Sequence, residues 1–158
     1  MRALMVSLML AALAGCGASD APPRDYVRTL YDQQQPVLEA EVTYLGKTAP
    51  PGAVVAHDWH QLDTDFYRTT LRNRSGYTLE LLSLRYAMAK GPLFSPAVKD
   101  RAAIAADCGS ATLRPGDVVR DEDSYVWARE DSNVLKRTVS LRMDGRTLTL
   151  ELPLRYQR

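Results

Sequence analysis

Along residues 138–154 apolar and polar positions alternate one for one. Val139, Leu141 and Met143 share a parity on the first arm, and Leu148, Leu150, Leu152 and Leu154 share one on the second. A period of two predicts paired strands, each with one buried and one wet face. Asp144-Gly145 between them suits a tight hairpin turn. Pro153 has no N–H to give a ladder, so the last strand is expected at an edge or fraying there.

Upstream, Asp65 to Arg72 and Tyr77 to Met88 read as a second antiparallel pair, joined by Asn73-Arg74-Ser75-Gly76. In the second member the apolar parity changes after Leu81, from Leu79 and Leu81 to Leu82, Leu84, Tyr86 and Met88. A bulge near Leu81-Leu82 reconciles the two halves. Further strands are predicted over Ala102–Asp107 and Val118–Arg129, with Leu113-Arg114-Pro115-Gly116-Asp117 as the turn between them.

The N-terminal part is patterned differently. Tyr26, Val27, Leu30 and Tyr31 recur at helical spacing after Asp25, which predicts a short helix over Asp25–Gln34, ended by Pro36. Val37 to Leu45 fits a second helical piece or a strand, and the alternation of Glu41-Val42-Thr43-Tyr44-Leu45 favours the strand. Lys47-Thr-Ala-Pro-Pro-Gly52 is a break. Seven or so short strands separated by turn signals predict a mainly β chain, an antiparallel immunoglobulin-like β-sandwich over residues 25–158.

Composition narrows the partners. The chain has 20 Lys+Arg against 19 Asp+Glu. Arg2 is the one charge in residues 1–15, so residues 16–158 are balanced. The signs are interspersed, which argues against nucleic acid as a partner. The densest acidic run, Asp117 and Asp121-Glu122-Asp123 around Arg120, reads as a solvated edge or loop.

The N-terminus carries an export signal. Arg2 precedes a largely apolar stretch from Ala3 to Leu13, and Leu13-Ala14-Gly15-Cys16 follows. The apolar stretch is shorter than the roughly 20 residues a helix needs to span a bilayer. These four residues resemble the lipobox of bacterial lipoprotein precursors. That resemblance implies cleavage after Gly15, leaving residues 1–15 as signal peptide, and a covalent lipid on Cys16. Gly17 after the cysteine, in place of the Asp that retains such proteins in the inner membrane, implies the outer membrane, facing the periplasm. Residues 16–24 then form a lipidated tether, with flexible Gly, Ala and Ser and a stiffening Pro22-Pro23. Its eight residues after the cysteine reach at most roughly 25–30 Å.

A second resemblance lies in the mature part. Leu71-Arg-Asn-Arg-Ser-Gly-Tyr77, Leu82-Ser-Leu-Arg-Tyr86 and Leu113-Arg-Pro-Gly116 are similar to FxLyD-type and related immunoglobulin-like domains of bacterial envelope proteins. There an Asn-x-Ser turn, an aliphatic-aromatic strand and a Pro-Gly turn follow in that order. The Phe-x-Leu-Tyr-Asp of those domains is replaced here by Leu82-Ser-Leu-Arg-Tyr86. The resemblance implies a fold class and no catalytic residues.

Candidate chemistry is sparse. The two histidines, His57 and His60, flank Asp58-Trp59, with Asp63 and Asp65 close by. They are candidates for a metal if both lie on one helical face, whereas in a strand His57 and His60 point to opposite faces. Asp63 and Asp65 would share a strand face as a carboxylate pair, a pattern more common at a solvated strand start. No nucleophile elbow, P-loop or dinucleotide fingerprint is present. With Cys16 lipidated, Cys108 is the remaining thiol, read as a small buried hydrophobe at a strand end, with an intermolecular disulfide or a reactive thiol as the alternatives. Tyr125 and Trp127 share one face of their strand and Val126 the other, so the two rings are either core or a partner surface. Phe94, in Gly91-Pro-Leu-Phe94-Ser-Pro96, is a candidate inhibitory side chain on a protruding loop.

The expectation is a non-catalytic envelope lipoprotein, held to the membrane by lipid, that binds or stabilises another envelope protein, with no cofactor beyond the lipid on Cys16. The alternatives are a periplasmic inhibitor or immunity lipoprotein, and a lipoprotein binding a metal or small molecule through His57 and His60.

Overall fold

A computed structural model describes residues 25–51, 64–88, 97–127 and 134–156. These residues form two antiparallel sheets facing one another across an apolar interior. The first sheet runs β1 (Tyr26–Asp32), β2 (Gln35–Gly46), β3 (Thr64–Asn73) and β7 (Val118–Trp127), in that spatial order. The second runs β5 (Ala97–Asp100), β4 (Leu79–Met88), β8 (Val134–Met143) and β9 (Arg146–Arg155), with the two-residue β6 (Thr112–Leu113) also paired to β4. One helix, α1 (Arg101–Cys108), follows β5. The core is made of inward rows from both sheets, among them Leu38, Ala40 and Val42 of β2, Leu81 and Leu84 of β4, and Val139 and Leu141 of β8.

The mainly β sandwich agrees with the sequence pattern, and the C-terminal hairpin follows it closely. β8 pairs with β9 from Val134↔Arg155 to Met143↔Arg146, and the turn residues Asp144 and Gly145 have φ of 48° and 72°. Both positive values match a hairpin turn whose twist continues that of the strands. β9 lies at the edge of its sheet, where Pro153 leaves no ladder bond unmade. The pairing of β4 with β8 shifts between Leu81 and Ser83, the bulge that the change of parity requires.

Three expectations are corrected. Residues 26–32 form the strand β1 where a helix was expected, joined to β2 through Gln33-Gln34. Tyr26 and Leu30 are four apart, a spacing that suits one face of a helix and equally one face of a strand. Pairing with β2 decides for the strand, and both side chains pack against the core. The short helix lies instead at Arg101–Cys108, where a strand was expected. Its alanines favour a helix. The Asp100 side chain caps the start by accepting from Ala103 N at 2.9 Å, and Gly109 ends it with a φ of 81°.

Thirdly, β3 and β4 are not hairpin partners. The Asn73–Ser75 turn carries the chain from one sheet to the other. Asn73 is 1% exposed, and its amide nitrogen donates to Tyr77 O and Leu113 O at 2.7 and 2.9 Å. Its side-chain oxygen accepts from Ser75 N and Ser75 Oγ, both at 2.8 Å. One side chain thus ties the turn to β6, and Gly116 N donates to Asn73 O at 3.1 Å.

Candidate functional site

Most residues nominated from sequence fall outside the described ones: Cys16, His57, His60, Asp63 and Phe94. Trp127 closes β7 opposite Thr64. The alternation around it holds. Val126 is 0% exposed in the core, and Tyr125 lies on the other face, half-buried, opposite Phe66. The Tyr125 and Phe66 ring centroids are 6.2 Å apart. Thr64 to Tyr67 are all buried, so β3 is covered on both faces at this end.

Asp65 is fully buried and engaged. It accepts from Tyr44 Oη at 2.9 Å and lies 3.4 Å from Lys47 Nζ. Lys47 in turn donates to Tyr156 Oη at 3.2 Å and sits 4.4 Å above that ring's centre. Tyr67 Oη donates to Arg155 O, so this end of the sandwich is closed by tyrosines from both sheets.

The most concentrated charge is buried deeper, around Arg137. This arginine occupies the inward row of β8 with Leu135, Val139, Leu141 and Met143, and is 0% exposed. Its Nη2 donates to Asp121 and its Nη1 donates to Ser124 Oγ at 3.0 Å. Asp121 and Ser124 are three apart on β7, a spacing that regular alternation would send to opposite faces. The register of β7 against β3 shifts there, with Tyr67 opposite Ser124 and Thr69 opposite Asp121. That irregularity turns both side chains inward.

Asp121 is completed by two further donors. Tyr86 Oη of β4 donates at 2.7 Å and Lys99 Nζ of β5 at 3.3 Å. Lys99 also lies 2.8 Å from Asp107 on α1, which is partly exposed. Charges of alternating sign therefore run from the surface to the centre: Asp107, Lys99, Asp121, Arg137. The Arg137 guanidinium lies 5.1 Å from the centre of the Tyr86 ring. Among the described residues Arg137 Nε finds no hydrogen-bond partner.

Burial lowers the Arg137 pKa, opposed by Tyr86, Cys108 and Tyr26, and a guanidinium has ample reserve to remain charged. Burial pushes the Tyr26 hydroxyl well above its usual range, with Arg28 and Arg137 pulling the other way. Cys108 ends α1, half-buried and packed against the core, and not at a strand end. With two cations and a phenol on it, Asp121 is an acceptor whose lone pairs are used rather than a free base. Ser124 Oγ receives a proton donor and has no base among these contacts to activate it. The chemistry of the cluster is clamping, joining β7 to β4, β5 and β8.

The acidic run is thus not a solvated edge throughout, because Asp121 is 2% exposed. Arg137 stands in the apolar parity of its strand, between Leu135 and Val139, and that signal was present in the sequence. The inward turn of Asp121 depends on a bulge that no periodicity announces.

At the opposite end of the sandwich an open depression of about 540 Å³ lies between the β1–β2 turn, the Ser75–Tyr77 turn and the β8–β9 hairpin. Its charged rim is already paired, Asp32 with Arg146 at 2.7 Å and Arg74 with Glu39 at 2.7 Å. Among the described residues no group of three or more His, Cys, Asp or Glu could hold a metal ion, and no helix is long and apolar enough to cross a membrane.

No protein-family model matches the chain, and no curated protein matches it. It is similar to a solved structure described as the X-ray structure of Northeast Structural Genomics Consortium target SoR45, at 12% identity. The similarity covers 82% of this chain and 84% of the other, with a TM-score of 0.38.

Proposed function

We propose that the chain is an envelope lipoprotein, tethered through lipid on Cys16, whose β-sandwich binds or stabilises another envelope protein without catalysing a reaction. The observation that carries this reading is the place where the tether joins the fold. The Asp25 carboxylate accepts from Tyr44 N at 2.7 Å, so the chain leaves the sandwich from a fixed point. From there the residues back to Cys16 span at most roughly 30 Å, which keeps the domain at the membrane surface. The clamped interior supports a scaffold role, since its charged groups hold sheets together. In this proposal the immunoglobulin-like character and the outer-membrane address belong to the same reading.

The test is a crosslinked purification from intact cells with a C-terminal tag, wild type beside Cys16→Ser. A stoichiometric partner that is lost when the anchor is lost is the expected result. A wild-type protein recovered without any partner, or found in the soluble fraction, overturns the proposal.

A further inference from the structure

The two sheets have their outer edges side by side at β1 and β9, and among the described residues only one of those edges is blocked. In β9, Pro153 has no N–H to offer. Glu151 O and Pro153 O already accept from Arg28 Nη1 and Tyr26 Oη at 2.9 and 2.8 Å. β1 lacks these protections. It is terminal in its sheet and contains no proline, and the extra residue at its irregular pairing belongs to β2. The one charge in its middle, Arg28, is turned back onto β9. Among the described residues no strand pairs with the outer side of β1, where alternate residues turn their backbone donors and acceptors outward, a template for another strand.

Its side chains suit one occupant in particular. Val27 and Tyr31 are 59% and 60% exposed, and they stand two residues either side of Thr29. All three lie on the outer face, because Tyr26 and Leu30 pack inward. If a second β1 is laid antiparallel about Thr29, Val27 of each copy falls opposite Tyr31 of the other. Thr29 then meets Thr29, Arg28 meets Leu30 and Tyr26 meets Asp32. Aromatic with β-branched is a favourable cross-strand pair, and no like charges are directly opposed. The symmetry is closed, so pairing stops at two copies.

We propose that β1 is a homodimer edge, joining two copies of this chain into one continuous eight-stranded sheet. The pairing rests on the edge and its register, and not on the lipid anchor. The two halves therefore fail separately. A wild-type chain found in the soluble fraction that still dimerises would sink the anchor alone.

The experiment uses the full chain with Cys108→Ser, bearing either Thr29→Cys or, as a control on the other edge, Thr149→Cys. Intact cells are treated with a short thiol-to-thiol crosslinker. Opposed Cβ atoms in an antiparallel pair lie about 5 Å apart, so Thr29→Cys is expected to give a product of twice the chain mass, roughly tenfold above the control. Adding Val27→Lys and Tyr31→Lys sets like charges opposite one another and is expected to return the yield to the control level. Both positions are exposed, and near-ultraviolet circular dichroism confirms that the fold is kept. A Thr29→Cys yield no higher than the control overturns the proposal. So does a product of any other mass, which would assign the edge to a different protein.

Discussion

Arg137 owes its position to Asp121 more than to any other residue. A guanidinium with no exposure is costly to bury, and a carboxylate beside it offsets the loss of water. Removing one member strands the other. Asp121→Asn is expected to destabilise by about 3–5 kcal/mol in urea unfolding, the range for an unpaired buried charge. Replacing both, as Asp121→Leu with Arg137→Met, removes the stranded guanidinium and is expected to restore part of the loss, because Lys99 keeps Asp107 while the Tyr86 hydroxyl loses its acceptor. The double-mutant cycle reads this coupling directly. Near-additive losses would show instead that Arg137 is held by Ser124, Tyr86 and its packing. The sequence showed Arg137 in an apolar row, but the partner was hidden. Asp121 lay in an acidic run in which Asp117 and Glu122 are exposed, and a local register shift singled it out.

The same ambiguity governs whole elements. In β8 and β9 the period of two runs through Thr138–Met143 and Arg146–Leu154 on either side of an Asp-Gly turn, and a helix does not fit it. That hairpin was legible in the sequence, and so was the bulge at Leu82. β1 is shorter, and its two inward residues four apart satisfy both periods. α1 was obscured because small alanines carry little periodic signal, while Asp100 and Gly109 marked its ends. The β1–β2 turn supplied no cue, since Gln33 and Gln34 stand where Asn-Gly is usual, with φ of 47° and 68°. A left-handed conformation costs a residue with a side chain roughly 1–2 kcal/mol. Gln34→Gly is therefore expected to stabilise the protein by about 1 kcal/mol, seen as a higher urea midpoint with an unchanged slope. A lower midpoint would mean that the Gln34 side chain makes up for the strain.

For the molecule as a whole, the proposed dimer edge and the proposed tether, taken together, would constrain how the protein lies. Each tether starts beside Tyr26, and antiparallel pairing puts the two starts about 20 Å apart along the seam, six residues at 3.4 Å each. Both tethers reach one bilayer equally only if the two-fold axis stands along the membrane normal. The strands then run parallel to the surface. A monomer hanging from its tether would stand end-on instead, with Lys47 and Thr48 near the membrane and the Asp144-Gly145 turn about a strand length, roughly 34 Å, farther out. Fluorescent labels on Thr48→Cys and Asp144→Cys, in the Cys108→Ser background, separate these arrangements through energy transfer to acceptors in the lipid headgroups. Similar transfer from the two sites is expected for the flat dimer. Strong transfer from position 48 with weak transfer from position 144 would instead favour a single copy, leaving β1 open at the side and the 540 Å³ depression at the outer end.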